Sequence, residues 1–153
     1  TDMAFARAYY HWFHLIQPAP LPETMIGSDS RAYLHAKLGG WGAQGLAHIE
    51  PDALAEYERC YAAPGAVHAS CEDYRAAATI DLEHHAADGD RRIACPLLVM
   101  WGERGAMHRI YDVAATWRPL AAGEVRARSL PCGHFLPEEQ PEAVVRELAG
   151  CLA

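Results

Sequence analysis

The segment Ser129-Leu-Pro-Cys-Gly-His134-Phe places an imidazole directly after an apolar run and behind a glycine. Histidine titrates near neutrality and serves as a general base. One lying just past a buried strand stands at the carboxyl edge of a sheet, where open α/β folds bind their ligands. Gly133 permits the tight turn that such a placement needs. The other chemistry-bearing residues offer less. Cys132 precedes His134 by two positions, but strand-end geometry does not turn a thiol toward that imidazole. His11 and His14 have the i, i+3 spacing of a chelating pair, yet no carboxylate falls at a supporting position. His84 and His85 are adjacent, leave a helix in different directions and read as solvated. His35, His48, His68 and His108 form no pattern. Lys37 and Trp41, four residues apart, share a helix face; a solvated Lys beside a core Trp accounts for them equally well. The five cysteines (Cys60, Cys71, Cys95, Cys132 and Cys151) are odd in number and lack a C-x-x-C spacing. They point to neither a zinc site nor a full disulfide framework, and a reducing cytoplasm is the expected location.

Two kinds of element must carry these residues. Up to about Asp90 the chain reads as helices. From about Asp2 to Ile16, Phe5, Ala6, Tyr9, Phe13 and Ile16 recur at spacings of three and four, one helical stripe. Pro18, Pro20 and Pro22 end it, and Pro22 with Glu23 suits the first turn of a short helix. Ser30 caps a helix predicted to run to Leu38 and to stop at Gly39-Gly40. Pro51 and Asp52 open another through Tyr61, and a longer one is predicted from about Val67 to Ala86. Beyond Asp90 the character changes. Pro96-Leu-Leu-Val-Met-Trp101 is a continuous apolar run, the signature of a parallel strand buried on both faces. A helix from about Arg109 to Trp117, a strand from Glu124 to Leu130 and a final helix from Pro141 follow, the last with Val144, Val145 and Leu148 on one stripe. Such alternation belongs to an α/β fold.

Composition narrows the classes. The 153 residues suit one ordinary domain, with 51% hydrophobic and 22% charged residues, so neither a disordered segment nor a membrane span is expected. Thirteen Lys plus Arg against 20 Asp plus Glu give a net charge of −7, which argues against a nucleic-acid partner. Two parallel strands do not complete a sheet, and a strand as apolar as Leu97–Trp101 needs neighbours on its edges. The chain also opens at Thr1-Asp2 with neither an initiator Met nor a leader segment. It reads as a fragment of something larger.

Together, the His134 segment and Pro96-Leu-Leu-Val-Met-Trp-Gly-Glu103 resemble the last elements of the α/β-hydrolase fold, where the histidine comes last in the order nucleophile, acid, histidine. Most members carry the orienting acid shortly after that strand, in a pattern like Gly-x-x-Asp. Here the residues are Gly102-Glu103-Arg104-Gly105, with Gly in place of Asp, and Glu103 matches the turn rather than the acid. In the dehalogenase branch the acid follows an earlier strand, which would lie before Thr1. The N-terminal helix sharpens the match. Tyr10-His11-Trp12-Phe13-His14-Leu15-Ile16-Gln17-Pro18-Ala19-Pro20-Leu21-Pro22-Glu23 resembles the start of the cap domain in fluoroacetate dehalogenases. In that family a His-Trp pair and a later cap tyrosine hold the departing halide. The matching residues are His11, Trp12 and Tyr74, the last within Ser70-Cys-Glu-Asp-Tyr-Arg-Ala76.

The resemblance implies the C-terminal portion of an α/β-hydrolase fold: a helical cap over residues 1–90, then the last two parallel strands and their helices over 91–153, with the sheet incomplete. It implies a hydrolase acting on carbon–halide bonds. An aspartate carboxylate displaces halide from a haloacetate, and water activated by His134 hydrolyses the resulting ester to glycolate. His11, Trp12 and Tyr74 would supply N–H and O–H donors to the leaving anion. Lys37 and Trp41 would line a substrate channel. The nucleophile and orienting acid are expected upstream of Thr1, so the chain alone is expected to be inactive. No cofactor or metal is implied. The implied partners are a small haloacid, its halide ion, the missing N-terminal α/β-hydrolase segment and a second copy in a homodimer. Two alternatives stand beside this. One is an epoxide hydrolase, with Tyr9, Tyr10 or Tyr74 toward the epoxide oxygen, or an esterase of the same superfamily. The other is a non-catalytic fragment that assembles with another chain.

Overall fold

A computed structural model describes residues 3–152. The predicted start of the first helix at Asp2 lies outside them. By internal packing the chain divides into two units. The first comprises the residues up to Lys37 together with Pro51–Gly89, and the second Leu38–Glu50 together with the chain from Asp90 onward. The segment 38–50, grouped by sequence with the helical half, packs with the second unit.

The first unit is helical: α1 (Met3–Leu15), α2 (Leu21–Gly27), most of α3 (Ser30–Trp41), α4 (Pro51–Tyr61), α5 (Ala66–Ala77) and α6 (Ile80–Asp88). Its core is built on Leu15, Ile26 and Cys71, with Tyr33, Tyr61, Val67 and Tyr74 packed against them. Burying a side chain such as Ile26 contributes about 1.5–3 kcal/mol. Helix α1 is kinked at Tyr9, whose backbone leaves the helical region. Its buried face past the kink carries His11 and Leu15, four residues apart, while Phe13 of the predicted stripe is exposed.

Three predicted helix boundaries are corrected. Helix α3 continues through Gly39-Gly40 to Trp41. Each glycine lowers helix propensity by only about 1 kcal/mol, and position 39 packs beside Leu46, which a Cβ there would meet at 3.4 Å. The single helix predicted over 67–86 is two. Thr79 leaves the helical region, and its hydroxyl donates to the Arg75 carbonyl at 2.7 Å, offering that backbone oxygen a side-chain partner. The helix predicted over 109–117 is also two, α7 (Ala106–Ile110) and α8 (Val113–Trp117), because Asp112 caps the latter through a 2.9 Å bond from the Ala115 amide.

The second unit carries the strands. β1 (Leu97–Gly102) and β2 (Val125–Leu130) run parallel, with Leu97 opposite Val125 and Gly102 opposite Leu130. Among the described residues each pairs with no other strand. A single turn of 3₁₀ helix (Arg118–Leu120) precedes β2, and α9 (Leu136–Glu139) and α10 (Pro141–Leu152) follow it. Alternate residues of a strand share a face. On one face of β2, Arg126 and Arg128 meet Glu147 at 3.9 and 3.4 Å, and Leu130 joins Cys132 and Val144 in a core. Only Val144 of the predicted α10 stripe is buried; Val145 and Leu148 are exposed. β1 is half-buried rather than enclosed on both faces, with Val99 and Gly102 its buried positions.

Candidate active-site residues

In the first unit, α1 and α5 bring three of the singled-out side chains together. His11 is 2% exposed. The Tyr74 ring stands edge-on to it, with centroids 5.4 Å apart, and edge-on to Trp12 at 5.3 Å. Tyr9 and Tyr10 lie 5.7 and 6.2 Å from the His11 ring. Trp12 remains 40% exposed, so this cluster has one open side. Burial pushes the Tyr74 phenol above its ordinary pKa, and the neighbouring Asp73 charge adds to this. The phenol therefore keeps its proton at neutral pH and remains a donor. Lys37 sits over the Tyr10 ring at 3.7 Å and within 5.2 Å of Tyr33, a pair of cation–π contacts that joins it to this aromatic group.

Arg75, next to Tyr74 in sequence, fixes this part of α5. Its guanidinium donates to Glu23 at 2.7 and 3.1 Å, to Glu72, and twice to the Gln17 carbonyl at 2.7 and 3.0 Å. That bond set holds the Glu23 carboxyl well below its ordinary value, at about 2. Glu23, His68 and Glu72 also have ligating atoms within 4.8 Å of one another, but Arg75 lies on both carboxylates.

In the second unit His134 follows β2 on a turn whose amides are all engaged. The Gly133 and Phe135 amides donate to the Glu139 carboxylate at 2.8 and 3.1 Å, and the His134 amide donates to the Trp41 carbonyl at 2.9 Å. The same carboxylate accepts from the Ala43 amide at 3.0 Å. The imidazole packs against the Trp41 ring at 5.3 Å and stands perpendicular to Phe135 at 5.1 Å. Its outer side is exposed. Partial burial holds the His134 pKa below its ordinary value, against the opposing pull of Glu139.

Gly133 is required here for space rather than for a turn conformation, since its φ is not positive. A Cβ would stand 2.6 Å from the Trp41 carbonyl oxygen and 2.7 Å from the Ala43 nitrogen. Gly102 is crowded in the same way, its would-be Cβ overlapping the Gly133 carbonyl. Glu103 accepts from the Ser129 hydroxyl at 2.8 Å, tying the ends of β1 and β2 together. Cys132 is 1% exposed with its thiol pKa raised by burial, which suits core packing rather than nucleophilic attack.

Several histidines without a sequence pattern have structural partners. His35 meets Glu58 at 2.7 Å, His68 meets Glu23 at 3.1 Å, and His108 accepts from the Trp101 indole at 2.9 Å. Glu139 carried no signal beyond the pair Glu138-Glu139; its role emerges only when residues 96 positions apart meet.

No family model matches the chain. It is 43% identical to a fluoroacetate dehalogenase from Burkholderia sp over 148 residues, covering 97% of this chain and 48% of that protein. Among solved structures, a provisionally assigned α/β hydrolase from Nostoc sp PCC 7120 superposes with a TM-score of 0.95 and 55% identity, over 100% of this chain and 52% of that one. A provisionally assigned epoxide hydrolase from Pseudomonas aeruginosa superposes with a TM-score of 0.88 and 39% identity, over 98% of this chain and 50% of that one. The chain spans about half the length of each. It therefore has a partial α/β-hydrolase fold, and along nearly its whole length it is similar to a fluoroacetate dehalogenase.

Proposed function

We propose that the chain is part of a hydrolase that releases halide from a haloacetate. The observation that carries this reading is the packing of Tyr74 edge-on against both His11 and Trp12, in a chain 43% identical to a fluoroacetate dehalogenase. Breaking a C–F bond by displacement places negative charge on a small, strongly hydrated ion. Imidazole N–H, indole N–H and phenol O–H are compact donors that replace its water, and they act on charge that develops in the transition state. In the first step an aspartate carboxylate, supplied by polypeptide outside this chain, attacks the α-carbon. A C–O bond forms, the C–F bond breaks, and fluoride leaves with the electron pair. In the second step His134 takes one proton from water as its oxygen attacks the ester carbonyl; the acyl C–O bond then breaks, and glycolate leaves with the water's second proton on its hydroxyl as the carboxylate is restored.

Fluoride-electrode assay of the complete polypeptide with fluoroacetate tests this. Release of fluoride is expected from the complete protein and none from the 153-residue chain alone. A full-length protein that opens epoxides and leaves fluoroacetate intact would replace this reading with the second one. That alternative is favoured by one observation, the placing of Tyr9, Tyr10 and Tyr74 all around the His11 ring.

A further inference from the structure

Three consecutive amides of the β2–α9 turn, those of Gly133, His134 and Phe135, are all bound, yet only one receives its partner from main chain. The flanking two share a single carboxylate. One Glu139 oxygen serves Gly133 at 2.8 Å and Ala43 at 3.0 Å, and the other serves Phe135 at 3.1 Å. Ala43 lies two residues beyond Trp41, whose carbonyl takes the His134 amide at 2.9 Å and whose ring packs on the imidazole. A closed loop of bonds results, running from Trp41 and Ala43 through Glu139 to the turn and back. Gly133 leaves no space in it for any side chain. An exposed histidine on a short turn otherwise keeps considerable freedom, because loop backbones are mobile. Here the main chain on both sides of the imidazole is fastened to one acid.

We propose that Glu139 is the positioning residue for His134, fastening the turn to the 41–43 segment so that the imidazole holds one aim. The catalytic consequence rests on the reading of His134 as the base of ester hydrolysis; the anchoring does not. A carboxylate is needed because three N–H groups converge on it and it presents only acceptors, whereas the amide of Gln would turn an N–H donor toward one of them. Loss of alignment by about 1 Å costs on the order of 100-fold in rate.

The test compares Glu139→Gln, Glu139→Asp and the surface control Glu142→Gln in the complete polypeptide. Glu139→Gln is expected to lower kcat about 10- to 100-fold with KM within about twofold. The first turnover of fluoride should persist while the aspartyl ester accumulates, visible as added mass on the protein after rapid quenching. A merely structural defect would depress both steps together. Hydrogen exchange should show the amides of Ala43, Gly133 and Phe135 losing protection in the variant. Glu139→Asp, which keeps the charge but shortens the reach, should fall between wild type and Glu139→Gln and serves if the latter fails to fold. Wild-type kcat together with unchanged protection in Glu139→Gln would overturn the proposal. Should wild-type protein release no fluoride, the function fails on its own account, and amide protection alone then decides the anchoring.

Discussion

At the scale of single residues, the proposed chemistry assigns different steps to the two clusters. On the proposed reading His134 is the base, and a base must be unprotonated to act. Its pKa is pushed below the ordinary 6.5 by partial burial, so the neutral form persists into mildly acidic solution. In this chain the imidazole is therefore expected to titrate below 6.5, read by an NMR titration of His134. Replacing His134 with Ala should cut ester hydrolysis about 10²–10⁴-fold while the first halide still departs. The proposed halide donors call for a different test. Trp12→Phe keeps a large ring near Tyr74 and removes the indole N–H. Its cost should fall on halide release, about 10²-fold for fluoride and less for chloride, because the smaller anion concentrates its charge. Equal losses for both halides, measured side by side, would exclude a donor role for the indole.

Elements determine whether those residues stay where they are. Tyr74 rides on α5, and Arg75 ties α5 to Glu23 of α2 and to the Gln17 carbonyl. The Glu23 carboxyl is depressed from 4.5 to about 2, so its contribution to stability is complete above 4.5 and lost as pH falls through about 2. Glu23→Gln is expected to lower Tm at neutral pH and to flatten the change of Tm between pH 4.5 and 2. Thermal denaturation by circular dichroism reads both. In the second unit the turns after β1 and β2 meet through backbone, with the Glu103 amide bound to Leu130 O and the Arg104 amide to Cys132 O, both at 2.9 Å. Gly133→Ala inserts a methyl against the Trp41 carbonyl and the Ala43 nitrogen, which cannot yield as side chains do. Overpacking of this kind costs about 1–3 kcal/mol, measurable as a lower urea midpoint.

For the whole molecule, the decisive fact is the unfinished sheet. β1 and β2 pair with each other and, among the described residues, with no other strand. Unpaired strand edges and apolar side chains such as Val145 and Leu148, both exposed, invite association. The isolated chain is expected to bind a dye for apolar surface and to scatter light increasingly with concentration. A monodisperse monomer without dye binding would contradict this. No helix among the described residues is long and apolar enough to cross a membrane.

The sequence by itself determined what local pattern controls. The apolar run after Pro96 specified β1, Pro51 and Asp52 opened α4, and the Tyr10-His11-Trp12 and Gly133-His134 segments carried the resemblance to α/β hydrolases. These signals lie within a few residues of one another, where propensity and periodicity act. What escaped it falls into two kinds, short-range competition of side chains for backbone and meetings of residues distant in sequence. The breaks at Thr79 and Asp112 come from side chains bonding to backbone, and the persistence of α3 through two glycines accompanies packing near Leu46. The convergence of Tyr74 on His11 and Trp12, expected from the resemblance but from no local pattern, and that of Glu139 on Ala43 and the His134 turn, which had no sequence signal, join positions 63, 62 and 96 apart. Only tertiary structure decides such meetings, because chain closure over that distance is driven by collective burial rather than by any local rule.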